Sequence, residues 1–403
     1  MSHQIIVYKN NAGAPLVANT LKEKFDLKIN HFFHHTLRGC AAQLSADEKR
    51  SILLHPDVEK IIEDYEISLG EMAVVQHDGK QSDVPWGIRD VLPSTMFEIQ
   101  DKNKTNVQVD QDVYIVDSGV DELHPDLNVV EHVSFIPDSI FSFDKRKVHG
   151  HATHVAGIIG GTTNALNSVR GVAPGIRIHS LRVLDGAGKG ILSSILAAIE
   201  FLINRRMDML SESGVDEENI VQPMLVNMSL GFDTKTGETT ELDVAIEKAA
   251  LYGIIFVVAG GNASRNSKLT SPAHCPNVIS VSAYNNRGVF SSFSNFGKSI
   301  RACAPGTDIL STWPSASYAT MSGTSMAAPH ITGIIAYALA QSTSLMDFDK
   351  IIVFLQSIQQ KRKIISTPAD TISVPICLPQ DMLYSKKFLL LASSKYVSAS
   401  ISY

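Results

Sequence analysis

Val113-Tyr114-Ile115-Val116-Asp117-Ser118-Gly119-Val120-Asp121 is an apolar run that stops on a carboxylate and a glycine turn. A short run rich in β-branched residues and closed by turn residues reads as a buried strand rather than a helix. The same pattern recurs at Ile178 to Leu184, Met224 to Met228, Ile254 to Ala259 and Val278 to Ala283. Between these runs, Ile191, Ile195, Ile199 and Leu202 repeat at helical spacing, and Leu242 to Leu251 does so again. Apolar strands alternating with amphipathic helices predict a mostly parallel sheet covered on both faces, a doubly wound α/β domain. In such sheets chemistry collects beyond the carboxyl ends of the strands, which is where Asp117 and Asn262 fall.

Working outward, residues 1–76 read as a separate small α+β unit. It holds a strand at Ile5 to Tyr8, helices around Leu16 to Phe25 and Ala46 to Leu54, and a last strand near Val58 to Ile67. Gly70 to Pro85 loses periodicity and reads as a linker. Residues 77–345 form the large domain. Residues 346–403 follow with a helix at Phe348 to Lys361, expected to pack on the large domain, and a strand-like Phe388 to Leu391. Ser211 to Gln222 is an acidic, solvated loop on the pole opposite the strand ends.

The bulk numbers exclude several classes. With 44% hydrophobic and 19% charged residues, the 403-residue chain has the composition of a soluble globular protein. A net charge of -6 leaves no electrostatic footprint for nucleic acid or an anionic membrane. No apolar stretch is long enough to span a bilayer, and Met1 to Asn10 lacks the build of a secretory signal, which points to a soluble, intracellular chain. Cys40, Cys275, Cys303 and Cys377 lie far apart without metal-site spacing and read as free thiols, Cys275 with Cys303 being the one bridge to check.

Four blocks carry chemistry. Gly323-Thr324-Ser325-Met326-Ala327-Ala328-Pro329-His330 opens an apolar helix, and a serine there meets the free amides and positive dipole end that favour a developing anion. Pro329 is expected within the first turn. Taken alone, Ser325 also fits an ordinary N-cap. His149-Gly150-His151-Ala152-Thr153-His154 offers an imidazole able to act as base and then acid near neutrality. Its His-x-His-x-x-His spacing also suits a metal site, but metallo-hydrolases put an acid where Thr153 stands. Asp117 can orient an imidazole or simply close a turn. Asn262, after Ala259-Gly260-Gly261, can donate its amide to an oxyanion or serve a turn.

Jointly, the order Asp, His, Asn, Ser is similar to that of the subtilisin family, including its proteinase K and intracellular relatives. D-S-G at Asp117, H-x-T-H-V-A-G from His151 and G-T-S-M-A-A-P-H around Ser325 carry the resemblance. His124-Pro125-Asp126-Leu127, Gly171-Val172-Ala173-Pro174, Asn227-Met228-Ser229-Leu230-Gly231 and Ala304-Pro305-Gly306 extend it over most of the chain. It implies a serine endopeptidase that needs no cofactor, with Ser325 as nucleophile, His151 as base, Asp117 orienting it and Asn262 binding the oxyanion. Ser229, Leu230 and Gly231, with Ala259, Gly260 and Gly261, would pair with an extended substrate backbone. No acidic residue occurs in those walls, so apolar or aromatic residues are expected before the scissile bond.

The N-terminal unit then resembles the family's ferredoxin-like inhibitory pro-segment, its tail in the cleft and cut between Gly70 and Ser82. Peptide or protein substrates and this pro-segment are the implied partners, with no nucleic acid and no membrane. Asp126 matches a carboxylate that holds calcium in some relatives, and Asn164 and Asn167 in the Thr162 to Val169 loop offer oxygens, though the loop differs in length. Two residues depart from the family pattern. Ala152 replaces a glycine, and Phe232 stands where a second glycine is common, where it would narrow a subsite.

Overall fold

The computed structural model describes residues 1–9, 13–69, 73–77, 84–93, 109–137, 148–162, 169–213, 221–342, 344–358 and 364–368. Phe388 to Leu391, Cys377, Asn164, Asn167 and most of the acidic 211–222 loop therefore lie outside the described residues.

The large domain is built on a seven-stranded sheet. Its order is Ile300–Pro305, Val278–Tyr284, Ile254–Ala259, Met224–Met228, Asp112–Asp117, Arg177–Arg182 and Val129–Ser134. Every neighbouring pair is parallel. Pleating sends alternate residues to opposite faces, and both faces are covered. Val113 and Ile115 join a core with the helices Gly150–Gly160, Thr324–Gln341 and Phe348–Ser357, whereas Tyr114 and Val116 face the helices Leu192–Glu212 and Glu241–Ala250. This two-sided burial is why the strands read as unbroken apolar runs. The edge strands Val129–Ser134 and Ile300–Pro305 were not among the strands expected from sequence. The first, Val-Val-Glu-His-Val-Ser, mixes charge into the run and is only partly buried.

The N-terminal unit is a four-stranded antiparallel sheet, ordered Ile29–Phe33, Gly39–Leu44, Ser2–Tyr8 and Val58–Glu63. It carries the helices Ala14–Phe25 and Ala46–Leu53, the second opened by a Ser45–Glu48 capping box. Ile6 and Tyr8 pack within this unit, against Val17, Leu21 and Ile52. Ile5 and Val7, on the other face, enter the same core as Leu196 and Ile199 of the large domain.

Two buried carboxylates fix this contact on the helix Leu192–Glu212. Asp64 accepts from the Ser193 amide at 2.8 Å, capping a helix end whose own N-cap, Ile191, has no capping side chain. Glu200 accepts from the amides of His34, His35 and Thr36 and from the Thr36 hydroxyl, at 2.8 to 3.1 Å.

The expected linker is only partly one. Val74–His77 is a strand that pairs antiparallel with Ser317–Met321, extending a sheet with Ile309–Trp313. The strand expected up to Ile67 is also split. Val58–Glu63 stays in the N-terminal sheet, and Glu66–Ser68 pairs antiparallel with Lys189–Ile191 of the large domain. Cys40, Cys275 and Cys303 are buried free thiols, so the bridge considered between Cys275 and Cys303 is absent. No helix among the described residues is long and apolar enough to cross a membrane.

Two buried histidines give the fold a pH dependence. Burial pushes His154 down to about 3 and His330 down to about 4. Both lie below the ordinary value near 6.5, so the folded chain holds them neutral while the unfolded chain protonates them first. Their contribution is complete above about pH 6.5, is lost progressively as the pH falls below that, and is fully lost once the pH has passed through the folded values. Urea unfolding is expected to show a lower midpoint at about pH 4.5 than at about pH 7.5; an equal or higher midpoint in acid would contradict this.

Candidate active site

Asp117 ends an interior strand, where the chain has laid one neighbour to each side and the strand order reverses. Its side chain is fully buried, and Oδ1 accepts from the Ser118 amide at 2.6 Å. His151 stands on the first turn of the helix Gly150–Gly160, with Nδ1 at 2.8 and 2.9 Å from the two Asp117 oxygens. A carboxylate only accepts, so Nδ1 carries the proton and Nε2 presents its lone pair. That Nε2 is buried and has no hydrogen-bond partner among the described residues. Ser118 locks the pair from behind, its hydroxyl donating to the His149 carbonyl at 3.0 Å and accepting from the Ala152 amide at 3.2 Å.

Ser325 is the second residue of the helix Thr324–Gln341. Its Oγ donates to the Ser229 carbonyl at 3.0 Å, and the Ser229 hydroxyl donates to the Ser325 carbonyl at 3.0 Å. Pro329 explains the second bond. It lies in the second turn rather than the first, and its missing N–H leaves the Ser325 carbonyl without an intrahelical donor. Ser229 supplies that donor. Asn227 Nδ2 then donates to Ser229 Oγ at 2.9 Å, and Thr332 Oγ1 donates to Asn227 Oδ1 at 2.8 Å. Asn227, Thr332 and Ser118 are supporting residues that the sequence reading did not single out as such; Thr332 lies 105 positions from Asn227, and Ser118 lies 31 from the His149 carbonyl it bonds, so no local spacing reveals them.

Asn262 follows the turn at Gly261, whose φ of 100° is glycine territory; a Cβ there would lie 2.3 Å from Asn295 Nδ2. Asn262 Oδ1 accepts from the Thr324 amide and hydroxyl at 2.9 and 2.8 Å. With its oxygen engaged, the exposed side chain offers its NH2 group beside Gly323, where an added Cβ would lie 3.4 Å from Nδ2. The described contacts therefore give two pairings: an imidazole lone pair backed by a buried carboxylate, and an alcohol whose helix start holds an amide donor.

The tail of the N-terminal unit approaches the histidine segment. Besides the pairing of Glu66–Ser68 with Lys189–Ile191, the Leu69 amide donates to the Gly188 carbonyl at 3.1 Å. A Cβ on Gly188 would lie 3.2 Å from Leu69 Cδ1 and 3.6 Å from His149 Cδ2. The edge 188–191 is thus a backbone-pairing wall absent from the expected set; its sequence signal is Gly186-Ala187-Gly188-Lys189-Gly190 ahead of a helix. Phe232 lies edge to face on Tyr65 of the tail at 5.1 Å. Ala152 is helical and buried and has no positive φ, so the departure from glycine carries no strain.

The three histidines do not form a metal site among the described residues. His154 Nε2 donates instead to the Ile309 and Ala319 carbonyls, each at 3.0 Å. Asp126 does fit a hard cation. It is fully buried, Oδ2 accepts from the Tyr318 hydroxyl at 2.8 Å, and Oδ1 has no partner among the described residues. Burial pushes its carboxyl above the usual range, as expected for a carboxylate lacking a countercharge.

Comparison with known proteins gives two family matches: the subtilase family over residues 110–367 and peptidase inhibitor I9 over residues 9–70. The alkaline serine protease ver112 of Corniculantispora psalliotae is 34% identical over 309 residues, covering 77% of this chain and 73% of that protein. Subtilisin NAT of Bacillus subtilis subsp. natto is 34% identical over 306 residues, covering 75% and 71%. The crystal structure of a cold adapted subtilisin-like serine proteinase superposes with a TM-score of 0.59 at 30% identity, covering 74% of this chain and all of the other.

Proposed function

The chain belongs to the subtilase family and is a subtilisin-like serine endopeptidase with an I9 pro-segment as intramolecular inhibitor, and from that premise we propose that Ser325, His151, Asp117 and Asn262 perform its chemistry. The observation that carries this reading is the His151 ring, held through Nδ1 by a buried carboxylate with Nε2 left unpartnered. Ser325 Oγ turns from the Ser229 carbonyl to Nε2 and attacks the substrate carbonyl carbon while its proton passes to His151. Asp117 stabilises the imidazolium that forms. Asn262 Nδ2 and the free amides at the helix start bind the oxyanion. His151 then gives its proton to the leaving amine, and a water, deprotonated by the same ring, releases the acyl group from Ser325.

Ser229 to Gly231 and Ala259 to Gly261 flank the substrate backbone in this reading, together with the 188–191 edge. The tail's hydrogen bond at Leu69 supports a scissile bond shortly after it, at the start of the Gly70 to Ser82 interval, so that Val74–His77 remains with the mature enzyme. The walls lack acidic side chains, which supports apolar or aromatic residues before the scissile bond. The purified protein is expected to cleave denatured casein, and Ser325→Ala to lose activity roughly a million-fold, the magnitude measured for subtilisin itself. A peptide library should show faster cleavage after apolar or aromatic residues; equal or faster cleavage after Arg would overturn that preference.

A calcium ion at Asp126 belongs to the same proposal, because an orphaned buried carboxylate oxygen suits a hard cation that takes oxygen ligands. Asp126 would supply one ligand and neutralisation of its charge. Treatment with a calcium-selective chelator is expected to lower the melting temperature, and added calcium to restore it. A melting temperature indifferent to both would remove calcium from the account.

A further inference from the structure

Behind the Ser229–Gly231 wall lies a cluster that catalysis does not use. Asp243, in the first turn of the helix Glu241–Ala250, faces His274 and Cys275, and the three offer ligand atoms all within 4.8 Å of one another. Asp243 Oδ2 lies 2.8 Å from His274 Nε2, and Oδ1 lies 3.0 Å from Cys275 Sγ. The carboxylate is held in place independently. Thr240 donates to Oδ2 through its amide and hydroxyl at 2.7 and 2.9 Å, and Ser271 donates to Oδ1 at 2.7 Å. Outer hydrogen bonds of this kind typically orient a metal-binding carboxylate.

The imidazole is oriented too. His274 Nδ1 lies 3.1 Å from the Lys268 carbonyl oxygen, which only accepts, so Nδ1 bears the proton. A neutral ring then points the Nε2 lone pair at an ionised carboxylate oxygen 2.8 Å away. Two lone pairs at that distance need a proton or a metal ion between them. Glu247, one turn along the helix from Asp243, directs its charge at Cys275, and its buried Oε1 has no hydrogen-bond partner among the described residues. The other Glu247 oxygen accepts from Asn277 Nδ2, which holds this carboxylate in place.

We propose that Asp243, His274 and Cys275 bind a divalent transition-metal ion of the zinc class, with Glu247 or water completing a tetrahedral shell. One sulfur, one imidazole nitrogen and carboxylate oxygen select zinc over calcium or magnesium. On binding, the Cys275 thiol proton and any second His274 ring proton pass to solvent, and the metal forms bonds to Sγ, Nε2 and a carboxylate oxygen. The ion ties the helix Glu241–Ala250 to the Thr270–Cys275 segment. That segment pairs with Phe232–Asp233, and the Ser271 carbonyl oxygen would lie 2.6 Å from a Cβ on Gly231. The metal therefore braces one wall of the cleft from behind, by a route separate from the triad and from Asp126.

The test is zinc K-edge X-ray absorption on the full chain, stripped of metal and loaded with one equivalent of zinc. One sulfur at about 2.3 Å with nitrogen and oxygen at about 2.0–2.1 Å is expected. Cys275→Ser should lose the sulfur shell, and both it and His274→Gln should bind zinc at least roughly tenfold more weakly. Cys40→Ser and Cys303→Ser should bind as the unaltered chain does. A shell of nitrogen and oxygen alone, such as zinc on exposed histidines would give, overturns the proposal. So does a sulfur shell that survives Cys275→Ser, or zinc affinity unchanged in His274→Gln, the variant that keeps the thiol should Cys275→Ser fail to fold.

Discussion

A buried carboxylate needs donors, and at Asp117 they are the Ser118 amide and the His151 ring. Breaking such a buried pair by removing one partner typically costs about 3–5 kcal/mol, because the remaining charge is left without compensation. The contact is therefore both an anchor of the fold and the source of the imidazole's orientation. It exists because the strand Asp112–Asp117 lies inside the sheet, between Met224–Met228 and Arg177–Arg182, and His151 on the first turn of the helix Gly150–Gly160 meets its last residue. The helix bearing Ser325 contributes to the same core, through Ile331, Ile334 and Ile335. Three stretches far apart in sequence thus meet as a consequence of packing one parallel sheet.

The serine is held by a second system, which begins with an omission. Pro329 withholds a donor from the Ser325 carbonyl, Ser229 provides one, and Asn227 and Thr332 hold Ser229 in place. Thr324 fixes Asn262 in the same manner, so the orientation of that amide group is determined by the residue next to the serine. The N-terminal unit uses the large domain's weak points in turn. Asp64 caps a helix that lacks its own cap, and Glu200 collects the turn amides at His34 to Thr36. A pro-segment attached this way occupies the 188–191 edge and adds apolar packing through Ile5 and Val7.

Much of this was legible in the chain. Central strands buried on both faces must be apolar throughout, so Val113 to Val116 and Ile254 to Ala259 announce themselves, and the chemistry-bearing residues stand at their ends. The N-terminal unit was readable because short apolar runs and helical spacings follow one another as strand, helix, strands, helix, strand, and the second helix opens on a Ser45–Glu48 capping box. What escaped has physical reasons. The edge strand Val129–Ser134 is half exposed and tolerates charge. Val74–His77 is exposed except for His77 and exists as a strand only because Ser317–Met321 offers it an edge. The 188–191 wall is short, and its one strand partner is the tail segment Glu66–Ser68. The Asp243, His274 and Cys275 cluster joins residues separated by some thirty positions, which no local spacing reveals.

The account stands on the Asp117–His151 contact making Ser325 reactive, and the most direct measurement is the rate at which a fluorophosphonate labels the processed enzyme, read by peptide mapping. The account calls for a single labelled side chain, Ser325, and for a loss of roughly four orders of magnitude in Asp117→Asn, where the ring takes the wrong tautomer. Label on another residue, or an unchanged rate in Asp117→Asn, would contradict it.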